Sequence, residues 1–415
     1  QEHDLTTRKD RKGNSRSEQI TQYGSEVEAG GNIALSAKRD LAIIASRVSA
    51  EEDLSATAGG DVLIAAAANE DHYESHRKSG GKKVDIVDSQ VRQQAAELSA
   101  GGNLKVLAGN DLTAVASKLK AGDEAYLYAG NQLSLLAAQN SDYSLYDMKK
   151  KGAWGSNKTQ RDEVTTVRNV GTTIESGGDL TLVSEGDQLY QKARLESGND
   201  LILDSGGSIT FEAVKDLDQE SHEKSKSSWA WTSAKGKGAT DETLLQSQLI
   251  AQGNIVIQAV EGLKIDIKQV NQQSVSQTID AMVKADPELA WLKEMEQRGD
   301  VDWRRVKEVH DSFKYSHSGL GGPAMIIIAI IVTYLTAGAA SGAIGGAAGA
   351  TAGSGTAMAA GTAATATTAA TSAGWANIAL TAVATSATSN AAISTINNRG
   401  DLGAVVKDVT SSDNL

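Results

Sequence analysis

One template recurs five times in this chain and constrains its fold more than any other feature. The phrases "AGGNIALSA" (29–37), "AGGDVLIAA" (58–66), "AGGNLKVLA" (100–108), "SGGDLTLVS" (176–184) and "SGGSITFEA" (205–213) all read small-Gly-Gly-polar, then alternating apolar positions, then a small residue. Shorter relatives such as "RDLAIIAS" (39–46), "NDLTAVAS" (110–117), "SGNDLILDS" (197–205) and "AQGNIVIQA" (251–259) fill the gaps. The polar residues that open the strands are spaced 8, 13, 8 from Asn32 to Asp61 and 8, 12, 8 from Asn103 through Asp111 and Asp123 to Asn131. They are spaced 8, 13, 8 again from Asp179 to Ser208, and Asn254 opens a last set. A return every 20 or 21 residues is the period of a stacked coil. Alternation such as Leu180, Leu182 or Ile255, Ile257 sends one face of each short strand into a core.

The expected fold is therefore mainly β: a right-handed parallel β-helix of about seven rungs over residues 1–274. At the rung corners Asn32, Asp61, Asn103, Asp179 and Asn254 are expected to stack into a hydrogen-bonded ladder, with the Gly-Gly pairs supplying the positive φ of a tight bend. Three insertions rich in charge and Ser interrupt the rungs near 69–98, 139–174 and 215–248, and residues before Asn32 look like the end of another. Each is expected to be a β-hairpin or loop projecting from one side of the rod. Trp154, Trp229 and Trp231 at their tips are the candidate partner or lipid contacts, since indole rings suit surfaces that are part apolar and part wet.

Composition narrows the function. Zero Cys removes disulfides, thiolate metal sites and thiol catalysis. A net charge of −12 speaks against nucleic acid as a partner, and the short basic runs Lys149–Lys151 and Lys224–Lys237 read as solvated loops. The corner carboxylates are explained by their corners, His72 and His76 would stand about 13 Å apart in a hairpin, and His310 and His317 have no evident acidic or Cys partner, so no catalytic site, cofactor or metal is expected.

After Gly262 the template fades. "ADPELAWLKEMEQRG" places Asp286 as N-cap, Pro287 in the first turn, Leu289, Leu292 and Met295 on one stripe and Gly299 as terminator. "DVDWRRVKEVHDSF" looks like a second helix, so 275–314 is expected to form a helical neck. From Tyr315 to Asn398 an 84-residue run contains no Asp, Glu, Lys or Arg. Its first part is the lower edge of a bilayer span, and Gly338, Gly342, Gly346, with Gly349 and Gly353 in a second register, would let helices pack closely in lipid. Residues 315–415 are expected to be an α-helical, Ala/Gly-rich, membrane-interacting domain.

The Gly-Gly-Asn/Asp rungs with hairpin insertions resemble the haemagglutinin repeat of filamentous-haemagglutinin-type exoproteins. The segment from Val301 through "SHSGLGGPAMIIIAIIVTYLTAGAASGAIGGAAGATAG" to "NNRGDLGAVVKDVTSSDNL" is similar to the pretoxin domain of contact-dependent growth-inhibition effectors. The resemblance implies a secreted, cell-surface piece of a longer two-partner-secreted protein, with an outer-membrane secretion partner and a C-terminal toxin domain. Its role would be delivery: engaging the target-cell outer membrane or a receptor there, inserted or apposed. A plain adhesin rod is the alternative.

Overall fold

The structure is a computed structural model that describes residues 1–152, 156–228, 232–270 and 273–319. Among these the chain is mainly β, with parallel sheets. Three parallel sheets contain seven, seven and eight strands, and the chain visits them in rotation through seven circuits, the eighth strand of the third sheet following the last. The first circuit runs Glu26–Ala29, Ile33–Ala37, Leu41–Ile44 and the second Arg47–Ala50, Leu54–Ala58, Val62–Ala65. Each strand pairs in register with its counterpart one circuit later, as Val27 with Val48, Ile33 with Leu54 and Leu41 with Val62. Inward side chains from all three sheets, among them Leu98, Leu104 and Leu112, merge into one continuous buried core.

Each circuit thus has three strands, where the template suggests two. The additional strand is the tetrapeptide before the corner: "RVSA", "ELSA", "KLKA", "TIES" and "RLES" each bury their second and fourth residues. The register also removes the irregular 12-residue step. Leu104 pairs with Ala125 and Leu112 with Leu133, so the counterparts of Asn103 and Asp111 are Glu124 and Gln132, both 21 residues on.

The corner glycines serve a purpose other than the positive φ expected of them. Among the described residues the glycines in the left-handed region are Gly80, Gly81 and Gly262, none at a Gly-Gly-polar corner. A Cβ on Gly122 would instead lie 1.9 Å from the Gly101 carbonyl oxygen, and one on Gly177 would lie 1.9 Å from that of Gly122. Glycine is needed because successive corners stack backbone on backbone.

The insertions are hairpins: Ala67–Ser79 with Lys82–Gln94, Ala138–Lys151 with Asn157–Val170, and Val214–Ser227 with Thr232–Leu245. A fourth, Glu2–Asp10 with Gly13–Thr21, precedes the first circuit. All four join side by side, with His310–Gly319 at one edge, into one nine-stranded antiparallel sheet. A hairpin leaves after every second circuit, and the spacing explains why. Two stacked circuits rise about 9.6 Å and a two-stranded hairpin is about 9.6 Å wide, so both sheet systems keep one pitch.

The last circuit closes with Leu263–Lys268 in the third parallel sheet, although the template has faded. The chain then forms helix α1 (Val275–Ala285), with a capping box between Ser274 and Gln277, a short turn at Pro287–Leu289 and helix α2 (Trp291–Glu296). Leu289, Leu292 and Met295 are buried as their stripe suggests. Trp291 enters the core too, its ring 4.7 Å from Phe211, which stacks on Tyr190 at 5.0 Å. The aromatic stack stoppers the core at this end.

The second helix of the expected neck is not formed. Residues 301–313 supply two strands: Val301–Val306 pairs with Leu263–Lys268, and His310–Gly319 pairs with Thr232–Leu245. Each covers a sheet edge whose N–H and C=O groups would otherwise lack partners, which outweighs a helical stripe. Phe313 and Tyr315 sit opposite Gly238 and Gly236, where any Cβ would come within 2.4 Å of a ring atom. Aromatic rings thereby replace the side chains that those glycines lack.

Candidate interaction surface

Of the expected corner residues, Asn32, Asn103, Asp179 and Asn254 lie where the chain turns from the first parallel sheet into the second, and Asp61 lies at the next turn, from the second into the third. Asn32 Oδ1 accepts the Asp53 N–H at 2.9 Å, Asp53 Oδ1 accepts that of Asn103 at 2.8 Å, and Asn103 Oδ1 that of Glu124 at 3.2 Å. The column resumes with Asp179 to Asp200 (3.1 Å) and Asp200 to Asn254 (2.7 Å). A parallel column one corner on runs Asp40, Asp61, Asp111, with Asp61 Oδ1 also accepting Asn110 Nδ2 at 2.7 Å. These side chains hold backbone donors of the next circuit, and each is one step of a ladder rather than half of a converging pair. The same kind of bond shifts a titration at Asp187, where the Ser208 N–H and hydroxyl hold the carboxyl pKa below the usual carboxylate range.

The nine-stranded sheet offers a different kind of surface. Its hairpins are stitched together at the base by a repeated device, in which one side chain takes a backbone N–H from the neighbouring hairpin. Asn69 takes that of Gln22, Asn140 that of Gln93 and Asp216 that of Asn169. Glu308 takes the equivalent place at the last junction, accepting the Leu244 N–H at 2.7 Å. A second stitch is ionic: the Arg92 guanidinium reaches both oxygens of Asp142 at 2.6 and 2.8 Å, and Arg168 repeats this on Asp218. Hydrogen bonds from Gln90 and Arg92 hold the Asp142 pKa below its ordinary value. None of these residues stands out singly in the sequence, but Arg92 and Arg168, like Asp142 and Asp218, are related by the hairpin repeat, and that spacing is the signal that finds them.

The histidines fare differently from their sequence reading. His76 bonds Asp85 at 2.9 Å across its hairpin, and His310 has two acidic partners, Glu308 (2.9 Å) and Asp241 (3.1 Å). Those partners, Glu308 first, raise the His310 pKa. Burial works to raise the pKa of Glu308, but hydrogen bonds from Lys268, the Leu244 N–H and His310 prevail and leave it lowered. This cluster ties the last parallel strand to the edge of the antiparallel sheet. Among the described residues no three His, Asp or Glu side chains are grouped to hold a metal ion, and no helix is long and apolar enough to cross a membrane. Trp154, Trp229 and Trp231 lie outside the described residues, as do Gly338, Gly342, Gly346, Gly349, Gly353 and the rest of the charge-free run beyond Gly319.

A search of curated proteins and of solved structures returns no match. A family model for the hemagglutinin repeat matches residues 7–93, 79–156 and 151–244. The second of these matches runs from one hairpin turn to the next, and so spans two circuits with the hairpin halves that flank them. With more than half of its length matched by that model, the chain belongs to the hemagglutinin-repeat family.

Proposed function

We propose that this chain is a non-catalytic delivery segment of a two-partner-secreted bacterial surface protein, which engages the envelope of a target cell and aids passage of a C-terminal toxin. In this reading the rotating parallel sheets are a right-handed β-helical rod, and the nine-stranded sheet is its recognition flank. Membership of the hemagglutinin-repeat family supports export to the cell surface through an outer-membrane partner. The observation that carries the membrane part is where the rod ends. The strand His310–Gly319 closes the antiparallel sheet, its Gly319 opposite Thr232 beside a hairpin turn, and its last residues already belong to the 84-residue charge-free run. An uncharged segment long enough to enter lipid is thus tethered at the free edge of the sheet. The non-catalytic reading draws on the corner carboxylates of Asp40, Asp53, Asp61, Asp179 and Asp200, each of which uses an oxygen on a backbone N–H of the next circuit.

The adhesin reading draws on a different observation, the breadth of polar sheet that the hairpins present. Binding of the purified chain to Gram-negative target cells separates the two. Under delivery, deleting 320–398 abolishes the fraction that resists a high-salt wash, whereas deleting 139–174 leaves it. The reverse pattern would replace delivery by adhesion.

A further inference from the structure

The sequence breaks its basic residues into short runs, but strand pairing gathers them. Lys82 pairs with Lys150, Lys150 with Lys158 and Lys158 with Lys226, so four adjacent strands place four lysines in one row near the hairpin turns. Two residues back, on the same face, the row contains Arg77, then Lys224 opposite Lys235. Two further back it contains Arg8 and, at the other edge, Lys237 opposite Lys314. All ten cations are exposed, and none makes an ion pair among the described residues. The acids within the band are already engaged: Asp10 accepts the N–H groups of Lys12 and Gly13, and Asp162 bonds His222 and Gln160.

This arrangement works against the fold, because like charges directly opposite across strands repel and destabilise a sheet. Five such pairs occur on one face of a chain whose net charge is −12. Nearer the base the same face has Asp71, Asp142, Asp218 and Asp241 in a single row, of which Asp142 and Asp218 are paired with Arg92 and Arg168. The sheet is therefore polarised along its strands, positive toward the turns. Two grooves open in the positive band: about 700 Å³ between Arg8 and Arg77, floored by Gly13 and Ser15, and about 560 Å³ among Lys224, Lys235, Lys237 and Lys314. Across nine strands the band is roughly 38 Å long, with cations about 4.8 Å apart along its densest row.

The geometry points to this band as a docking surface for an anionic bilayer, with its lysines taking the phosphates of lipid headgroups. This rests on the membrane-engaging reading given above and adds what selects the membrane. Two observations favour a bilayer over a soluble polyanion. The cations lie in a sheet three rows deep rather than in one file, and the charge-free run leaves the sheet at this same positive end, next to Lys314. Headgroup contact would hold the apolar segment against the lipid it is to enter.

The test uses the full chain with two sets of vesicles, phosphatidylcholine alone and phosphatidylcholine with phosphatidylglycerol. Wild type and the triple variant Lys150→Gln, Lys158→Gln, Lys226→Gln are compared by flotation and by thermal unfolding. A near-surface lysine contributes roughly five-fold to partitioning onto an anionic bilayer, so three contribute about a hundred-fold at low salt. The expected result is a loss approaching that size on anionic vesicles, unchanged partitioning onto neutral ones, and an unfolding midpoint equal to wild type or higher because the opposed charges are gone. Equal wild-type binding to both vesicle types, unaltered in the variant, would overturn the lysine band and leave the membrane reading standing. Absence of binding to either would overturn both. Capture of dextran sulfate without vesicle recruitment, or a variant that loses stability and binding together, would likewise refute headgroup recognition.

Discussion

Changing Gly122 to Ala separates two explanations of why corner glycines recur. If the glycines served a left-handed turn, Gly→Ala would be costly at every corner. The stacked geometry makes the cost depend on what lies one circuit below. At Gly122 the new Cβ would stand 1.9 Å from the Gly101 oxygen and would have to move about 1.1 Å to reach even the shortest contact a real Cβ makes. That shift stretches the bonds that fix the corner: Gly122 N–H to Ala100 O at 2.9 Å, Asp123 N–H to Gly102 O at 3.0 Å and Gly177 N–H to Ala121 O at 3.1 Å. Disrupting two of them, with their groups left poorly paired, costs about 2–5 kcal/mol. The gain from a less flexible unfolded chain returns only about 0.4–1 kcal/mol. Gly31 is the internal control, because it belongs to the first circuit and a Cβ there meets nothing within 4 Å. Equilibrium denaturation of Gly122→Ala and Gly31→Ala, followed by circular dichroism, is expected to show strong destabilisation in the first and a change within about 0.5 kcal/mol, or slight stabilisation, in the second. Equal losses at both positions would refute the stacking argument.

Three further outcomes follow from the same geometry. Gly238→Ala places a Cβ 2.3 Å from the Phe313 ring and 2.6 Å from the Glu220 oxygen, so the edge strand His310–Gly319 should loosen. Proteolytic cleavage after Lys314 should accelerate while the circuits stay intact; unchanged cleavage would contradict the aromatic-over-glycine contact. Trp291→Ala removes the ring that stoppers the core and should lower stability by about 3–5 kcal/mol in denaturant unfolding, a loss under 1 kcal/mol showing that the stopper is dispensable. His310 has a raised pKa, so its charged contacts with Glu308 and Asp241 contribute fully below the unfolded value near 6.5 and fade as pH rises through the higher folded value. The stability difference between wild type and His310→Gln should accordingly be largest in mild acid and shrink in alkali; a gap that stays constant with pH would refute it.

What was legible in the sequence is what repeats with period two or twenty-one. Leu180 and Leu182, or Leu201 and Leu203, declare their burial by alternation, and the rungs and hairpins follow from that. Less visible was whatever depends on pairing between distant segments. The strand "ELSA" is too short to announce itself, and only its stacking between "RVSA" and "KLKA" makes it a strand. Residues 301–313 carry a helical stripe and become two strands because two sheet edges need covering. The runs Lys149–Lys151 and Lys224–Lys237 read as solvated loops for the same reason: Lys150 and Lys226 come into one row, with Lys158 between them, only after two hairpins join. His310 likewise acquires Asp241 from 69 residues away.

The central claim, that the rod holds an apolar segment against a membrane it then enters, is tested most directly by protection from protease. Full-length chain is bound to anionic vesicles, washed at high salt and digested. A vesicle-protected fragment beginning near residue 315 and extending into the charge-free run, with the preceding sheets digested away, is the predicted result. Complete digestion of residues 315–398 on vesicles that retain the chain would contradict the account and leave a surface-bound rod in its place.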